Sequence, residues 1–410
     1  MERSLAVGII AILLVVSILP LADTQMAANK LWGEERVEKV SSSSSHIIPS
    51  SNKEWTFMFY YDKDFEGGYD PLHDFAREAY SHDNLNIIVL QDTENGPAKM
   101  WYIDEHHHMN LLQEMGEINM GDYTTLSNFI KYGKENFPAN RYIIDFFNHG
   151  GGWMGTCWDE TNDNDYLSMN EIQMALEETG GVDIIMFGVP CLMGTIEAVY
   201  EIKELADVYI GSEEIGYWYT DADIAKPLCD LLNENPFISN IELGEKIIQF
   251  VGKLGGDIRT MSAIRTDKID DLKNALDTLS GDLFKSWFKL YKKVYSAHEE
   301  TFRFGWGYAD PELYDIYDFV QKLSSISGLP LQIQQDLQNV KETFNQTVIA
   351  EHHGWREVGA HGLSIYFPSK FMNGLSLLYG AKFYELDFAS DTFWNEFIGL
   401  FVLTTVIIHG

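Results

Sequence analysis

Between residues 55 and 211 the chain alternates short, almost uninterrupted apolar runs with longer stretches of helical periodicity. The runs are WTFMFYY from Trp55, LNIIVLQD from Leu85, RYIIDFFNHG from Arg141, VDIIMFGV from Val182 and DVYIGSEE from Asp207, with LSIYFP from Leu363 far downstream. A strand covered on both faces reads this way, because neither face can be polar. Amphipathic patterns fill the gaps, in PLHDFAREAYS, TTLSNFIKYGKENF, SMNEIQMALEET and GTIEAVYEIKELA. Strand, helix, strand in that order predicts an α/β fold, a mainly parallel sheet sandwiched between two layers of helices. KMWYIDEHHHMNLLQEM breaks the rhythm and predicts a hairpin with a polar tip. His106, His107 and His108 then form an exposed turn, since three successive side chains do not converge easily on a metal.

The pattern also divides the chain. An uncharged apolar run from Ser4 to Ala22 follows Arg3, so residues 1–23 read as a signal peptide or, at 19 residues, a membrane anchor. Residues 24–53 lack periodicity and hold five consecutive serines, the composition of a flexible tether or pro-segment. Residues 54–225 carry the predicted sheet. Residues 226–410 form a mostly helical C-terminal extension that returns one strand, 363–367, to the core. The closing FIGLFVLTTVIIHG is uncharged for 14 residues, too short to cross a bilayer as a helix, and reads as a packed terminal element. These ends predict a secreted or cell-surface protein with a membrane tether available at the N-terminal segment.

A length of 410 residues with 45% hydrophobic and 13% aromatic content supports a large buried core. The 62 acidic and 29 basic residues give a formal charge of -33, which repels a phosphate backbone and excludes nucleic acid as a partner. Three cysteines, Cys157, Cys191 and Cys229, cannot build a disulfide framework, and an odd number leaves at least one thiol unpaired.

In open α/β sheets the functional crevice lies beyond the carboxyl ends of the strands. YIIDFF ends in NHGGGW, which puts His149 on a turn, and DIIMFGVP ends in Cys191. If those two strands are parallel neighbours, both side chains emerge at one edge. A thiol and an imidazole so placed suffice for acyl transfer, the sulfur attacking a carbonyl and the ring protonating the departing amine. Cys191 precedes LMGTIEAVYEIKEL, which predicts a position at a helix N-terminus, where the dipole favours the thiolate. Pro190 suits a tight turn from strand to helix. The amides of Gly150 and Cys191 are candidate oxyanion donors. The competing readings are a satisfied loop histidine and a packed cysteine.

WDETNDNDYLSMNE from Trp158 presents Asp159, Thr161, Asp163 and Asp165 at alternate positions, oxygen ligands suited to calcium. Asn164 and Asn170 replace the glycine and glutamate of a complete EF-hand loop, so a solvated acidic loop is the other reading. Acyl transfer through Cys191 and His149 itself needs no cofactor.

His-Gly after one apolar strand and Cys after the next, 42 residues later, is similar to the caspase-like arrangement. The order and spacing of WTFMFYYDKD, GEINMGDYTTLSNFIKYGKENFPANRYIIDFFNHGGGW, CLMGTIEAVYEIKELADVYIGSEE, GLSIYFP and LDFASDTFWNEF resemble the clostripain-like cysteine peptidases, a branch of the caspase, legumain and gingipain clan. The resemblance implies a caspase-like sandwich, a cysteine endopeptidase acting on proteins or peptides, a His149–Cys191 dyad, and cleavage after basic residues. One departure stands out. The family reads Asp-Ala-Cys, with the aspartate at the base of the P1 pocket, whereas this chain has Val189-Pro190-Cys191. Glu213 and Glu214 are candidate substitutes lining the substrate site beside Val189, with Asp221 and Asp223 further along. No Lys or Arg lies between His149 and Cys191, so self-cleavage there at a basic residue is not available. The two departures together predict a single-chain enzyme or a changed P1 preference. A catalytically inactive surface binding protein on the same scaffold is the alternative.

Overall fold

β1 (Lys53–Lys63) sets the layers. Trp55, Phe57, Phe59 and Tyr61 enter one core, and Met58 and Tyr60 enter the other. The absence of a polar face in its sequence has this cause. The computed structural model describes residues 52–65, 70–217, 220–255, 259–305, 312–369 and 382–409. The expected signal or anchor, and the expected tether up to residue 51, lie outside the described residues.

Along the chain β1 is followed by β2 (Leu85–Thr93), β3 (Lys99–Ile103), β4 (Met109–Glu114), β5 (Ala139–Phe147), β6 (Gly155–Asp159) and β7 (Asp165–Ser168). Then come β8 (Ile184–Met186), β9 (Val208–Gly211), β10 (Thr260–Arg265), β11 (Arg303–Phe304), β12 (Leu313–Asp315), β13 (Val348–His353) and β14 (Ser364–Tyr366). Nine of them form one sheet in the order β13-β10-β9-β8-β5-β1-β2-β3-β4. β9, β8, β5, β1 and β2 run parallel, and antiparallel strands close both edges. The predicted α/β sandwich is therefore present, and β3 and β4 form the predicted hairpin with the three histidines exposed at its tip.

Helices Tyr123–Asn136 and Met169–Thr179 cover one face, burying Phe129, Ile130, Ile172 and Leu176. The second starts at a capping box, Ser168 with Glu171, and stops at Gly180, whose φ of 76° suits glycine. Helices Leu72–Glu78, Thr220–Glu234 and Asn240–Leu254 cover the other face.

The C-terminal half is less separate than its helical periodicity suggests. β10 and β13 complete one edge of the main sheet. VIAEHH mixes polar and apolar residues because β13 is an edge strand and only partly covered, whereas the polar Thr260 and Ser262 of TMSAIR are buried and hydrogen-bonded to Ser212 and to the Gly362 carbonyl. The strand expected at 363–367 goes elsewhere: β14 pairs with β12 in a small antiparallel sheet. It meets the core through a bridge to Thr195, hydrogen bonds from Ser364 N–H and Oγ to the Gly194 carbonyl, both at 2.9 Å, and from Tyr366 N–H to Glu197 at 2.8 Å, and through buried Ile365 and Tyr366. The terminal helix Trp394–His409 packs through Trp394, Phe397, Ile398, Phe401 and Val402, leaving Ile407 exposed. Among the described residues no helix is long and apolar enough to cross a membrane.

Candidate active site

β5 and β8 are parallel neighbours, with Asp145 opposite Met186. The two chains therefore leave the sheet at the same edge. Their exits touch: a Cβ added to Gly150 falls 2.2 Å from the Cys191 carbonyl oxygen and 2.6 Å from its nitrogen. Only a residue without a side chain permits that approach. The sequence-predicted His149 and Cys191 thus sit on loops whose backbones are in contact.

β6, which follows along the chain and pairs with β7 in a separate two-stranded sheet, and the buried Asn148 fix the His149 loop. Asn148 Oδ1 accepts the N–H of His149. Its Nδ2 donates to the carbonyls of Trp158 and Asp62 at 3.2 and 3.3 Å. Thr156 donates its hydroxyl to the His149 carbonyl at 2.7 Å. The Phe65 ring lies 4.9 Å from the imidazole, centroid to centroid. Burial holds the His149 pKa below its ordinary value, with Glu160 pulling the other way. A neutral imidazole, able to accept a proton, is the favoured form. Nothing in the sequence marks Phe65, which lies 84 positions before His149.

Cys191 is half-buried, and Gly216 N–H donates to its Sγ at 3.3 Å. The other two thiols are buried in the packing, Cys157 with its pKa held well above the usual range by burial and Cys229 pushed up to about 12 by the same cause. The expected helix N-terminus at Cys191 is corrected. The helix runs only from Ile196 to Glu201, is capped by Thr195, and begins after a loop in which Leu192 has a φ of 63°. Backbone bonds to β9's following loop hold the segment open: Leu192 N–H to Glu214 O at 3.0 Å and Gly194 N–H to Ser212 O at 2.7 Å. The amide facing the sulfur comes from Gly216 rather than from a helix end.

The Clostripain family model matches residues 70–401. The chain belongs to the clostripain family. It is a cysteine endopeptidase, and its nine-stranded sandwich is the caspase-like fold. Clostripain of Hathewaya histolytica is 25% identical over 414 residues, covering 82% of this chain and 78% of that protein. Among solved structures, a secreted C11 cysteine protease from Bacteroides thetaiotaomicron in complex with an irreversible peptide inhibitor is 17% identical with a TM-score of 0.60, over 81% of this chain and 98% of that one. An inactive zymogen C11 protease from Parabacteroides distasonis is 19% identical with a TM-score of 0.59, over 84% and 99%. At these identities the structural likeness speaks for the fold.

The candidate substitutes for the missing family aspartate are turned inward. Val189 is buried and its carbonyl packs on Gly216, where a Cβ would fall 1.8 Å from it. Glu213 is buried, accepts Gly362 N–H at 2.8 Å, and lies against Asp315; burial and then Asp315 hold its carboxyl well above the usual range. Glu214 accepts the amides of Ile215 at 2.9 Å and Gly305 at 3.4 Å and is also raised by burial. Neither presents an open carboxylate to a cationic side chain. Asp221 is buried against Gly188 and Asp145, and Asp145, pushed up to about 7 by burial, accepts Gly188 N–H at 3.2 Å. Asp223 is exposed on its helix.

The acidic loop is rearranged relative to its sequence pattern. Asp163 and Asp165 are exposed, Asp165 accepting from Asn119 Nδ2 at 2.7 Å. Asp159 points inward and accepts Met120 N–H at 2.8 Å. Its carboxylate neighbours are Asp64, Asp92 and Glu117, one oxygen of each lying within 4.8 Å of the others. Four separate segments supply that group, so no local spacing reveals it.

Proposed function

We propose that this clostripain-family enzyme is exported and hydrolyses peptide bonds through His149 and Cys191. The observation that carries the reading is the backbone contact between Gly150 and Cys191, which leaves the two side chains on adjoining loops at one sheet edge. In the cycle, His149 takes the Cys191 proton and the sulfur attacks the scissile carbonyl. The amides of Gly150 and Cys191 stabilise the oxyanion. His149 then gives its proton to the leaving amine, and finally takes one from water, whose oxygen displaces the thiolate from the thioester. The apolar run at Ser4–Ala22 and the secreted relative support export.

The P1 preference departs from basic residues. A Lys or Arg side chain drawn into a pocket without a carboxylate loses several kcal/mol of solvation, and Val189, Glu213 and Glu214 supply no open carboxylate. Two measurements test the proposal. An iodoacetamide-type probe labels Cys191; the label disappears in Cys191→Ala and weakens in His149→Ala, and equal labelling of the His149 variant overturns the dyad. Fluorogenic peptides varied at P1 read the pocket, and dominant turnover after Arg or Lys overturns the changed preference.

A further inference from the structure

Three titratable groups with no step in that reaction meet against the loop that follows Cys191: Glu213 after β9, Asp315 at the end of β12 and His361 shortly before β14. Glu213 and Asp315 are buried, and His361 is half-buried. The contact with the loop is close, since a Cβ added to Gly194 falls 2.8 Å from the Glu213 nitrogen and 3.2 Å from its Cγ.

The donors around the two carboxyls are unequal. Asp315 takes the Asp318 N–H on Oδ1 at 2.6 Å and the His361 N–H on Oδ2 at 2.7 Å. His361 Nδ1 lies 3.0 Å from Asp315 Oδ1 and 3.0 Å from the Gly359 carbonyl, two acceptors, so that nitrogen carries a hydrogen. Glu213 takes one amide, Gly362 N–H on Oε2 at 2.8 Å, and its buried Oε1 has no hydrogen-bond partner. Two adjacent buried carboxyls do not both ionise, because desolvation and like charge each favour a proton on the pair. Three donors keep the charge on Asp315, which leaves the proton on Glu213. The other charged groups facing the pair are Glu351 of β13 and Asp318 of helix Ile316–Ser325, with Lys322 3.7 Å from Asp318; Arg259 and Glu357 face the neighbouring Glu214. Burial and then Asp315 hold the Glu213 carboxyl well above the usual range, and His361 is raised against its burial by the bond to Asp315.

Glu213 stands in the middle of the segment on which Cys191 hangs. Ser212 O accepts Gly194 N–H at 2.7 Å, Glu214 O accepts Leu192 N–H at 3.0 Å, and Gly216 N–H donates to Cys191 Sγ at 3.3 Å. The group that receives Glu213 is itself fixed: Gly362 has a φ of 107°, and Ser262 Oγ donates to its carbonyl. We infer that Glu213 is a positioning residue: with its Oε1 proton turned to Asp315 and its Oε2 on the Gly362 amide, it pins residues 212–216 so that Gly216 N–H meets the Cys191 sulfur. This role rests on Cys191 as the nucleophile. An amide donating to the sulfur favours the thiolate, the form that attacks.

Two substitutions of similar length separate the proton from mere packing. Glu213→Gln accepts the Gly362 amide and donates to Asp315, as the protonated acid does, whereas Glu213→Met does neither. On the full chain, Glu213→Met is expected to lower kcat about tenfold or more with KM changed less than about threefold, on the best peptide of the P1 panel, and to slow iodoacetamide-type labelling of Cys191 about tenfold. The conservative Glu213→Gln rescues both to within about threefold of the parent. Circular dichroism checks the fold of Glu213→Met, and Glu213→Leu takes its place if that chain does not fold. In the Cys191→Ala background, the infrared difference spectrum between the parent and Glu213→Gln shows the carbonyl stretch of a protonated carboxyl. Labelling of Cys191 in a folded Glu213→Met chain at the parent's rate overturns the positioning role. A Glu213→Gln chain as impaired as Glu213→Met, or absence of the protonated-carboxyl band, overturns the shared proton. Failure of the dyad reading looks different, because the parent then leaves Cys191 unlabelled or the His149→Ala chain labels equally.

Discussion

Asn148 grips His149 through the backbone: its Oδ1 accepts the His149 N–H while its Nδ2 donates to the Trp158 carbonyl at 3.2 Å. The amide side chain acts as a splint between the imidazole's own residue and β6. Asn148→Ala removes the splint and leaves buried polar backbone groups unpaired, at a cost of about 1–3 kcal/mol. The expected result is a 10- to 100-fold loss in kcat with KM changed less than threefold, because no substrate contact is lost. Steady-state kinetics on the best peptide of the P1 panel check it. A rise in KM with kcat intact contradicts the positioning role.

Gly150 is the point where the two loops touch, and its conformation is less important than its lack of a side chain. Gly150→Ala places a carbon 2.2 Å from the Cys191 carbonyl oxygen, backbone that cannot swing aside. The loops must separate, so activity is expected to fall at least 100-fold and stability by roughly 1–3 kcal/mol. Gly281→Ala is the control: nothing lies within 4 Å of its added carbon, it sits inside helix Ile269–Lys285, and a small gain in stability is expected there. Wild-type kinetics in Gly150→Ala rule out the contact as a functional one.

The legible parts of this fold share one property, local cause. β1, β2, β5, β8 and β9 were readable because both faces are buried, which forces a continuous apolar run. His149 and Cys191 were readable because strand ends in a parallel sheet share an edge. What was not legible depends on distant partners. GTIEAVYEIKEL has helical periodicity from Gly194, yet the helix starts at Ile196, because Thr195 is extended and caps it by accepting Ala198 N–H at 3.2 Å, while Gly194 N–H bonds out to Ser212 O at 2.7 Å. Glu213 and Glu214 look like surface acids after a strand, but Gly362 and Gly305, from far along the chain, close over them. The Asp64, Asp92, Glu117 and Asp159 group needs four segments to meet.

His149 is exposed as a residue, yet the Phe65 ring packs 4.9 Å from its imidazole, and desolvation of the ring is the largest cause of its depressed pKa. Phe65→Ala admits water to the ring and moves the pKa up toward the ordinary value of about 6.5. The sign for stability follows. A base with a folded pKa below its unfolded one takes up its proton first in the unfolded chain, so its penalty appears as pH falls below about 6.5, and Phe65→Ala lessens it. NMR titration of His149 in the Cys191→Ala background measures the shift directly. An unchanged or lower value in the variant contradicts the desolvation account.

Glu197 offers a second pH dependence, independent of the reaction. It lies in the first turn of helix Ile196–Glu201, wholly buried, with Oε1 accepting Tyr366 N–H at 2.8 Å and Oε2 without a partner. Burial pushes its pKa from 4.5 up to about 8, against the pull of the Tyr366 amide. The unfolded chain therefore ionises at lower pH than the folded one. Stability that is fully present below pH 4.5 drains away as pH rises toward 8. Glu197→Gln keeps the shape and the Tyr366 bond but cannot titrate. Its stability relative to the parent should climb with pH across that window, at up to about 1.4 kcal/mol per pH unit and a few kcal/mol in all. Urea unfolding of both chains at pH 5, 6, 7 and 8, in the Cys191→Ala background to prevent self-digestion, measures the difference. A difference that stays flat means Glu197 is ionised in the fold, and a cation or donor must then reach Oε2.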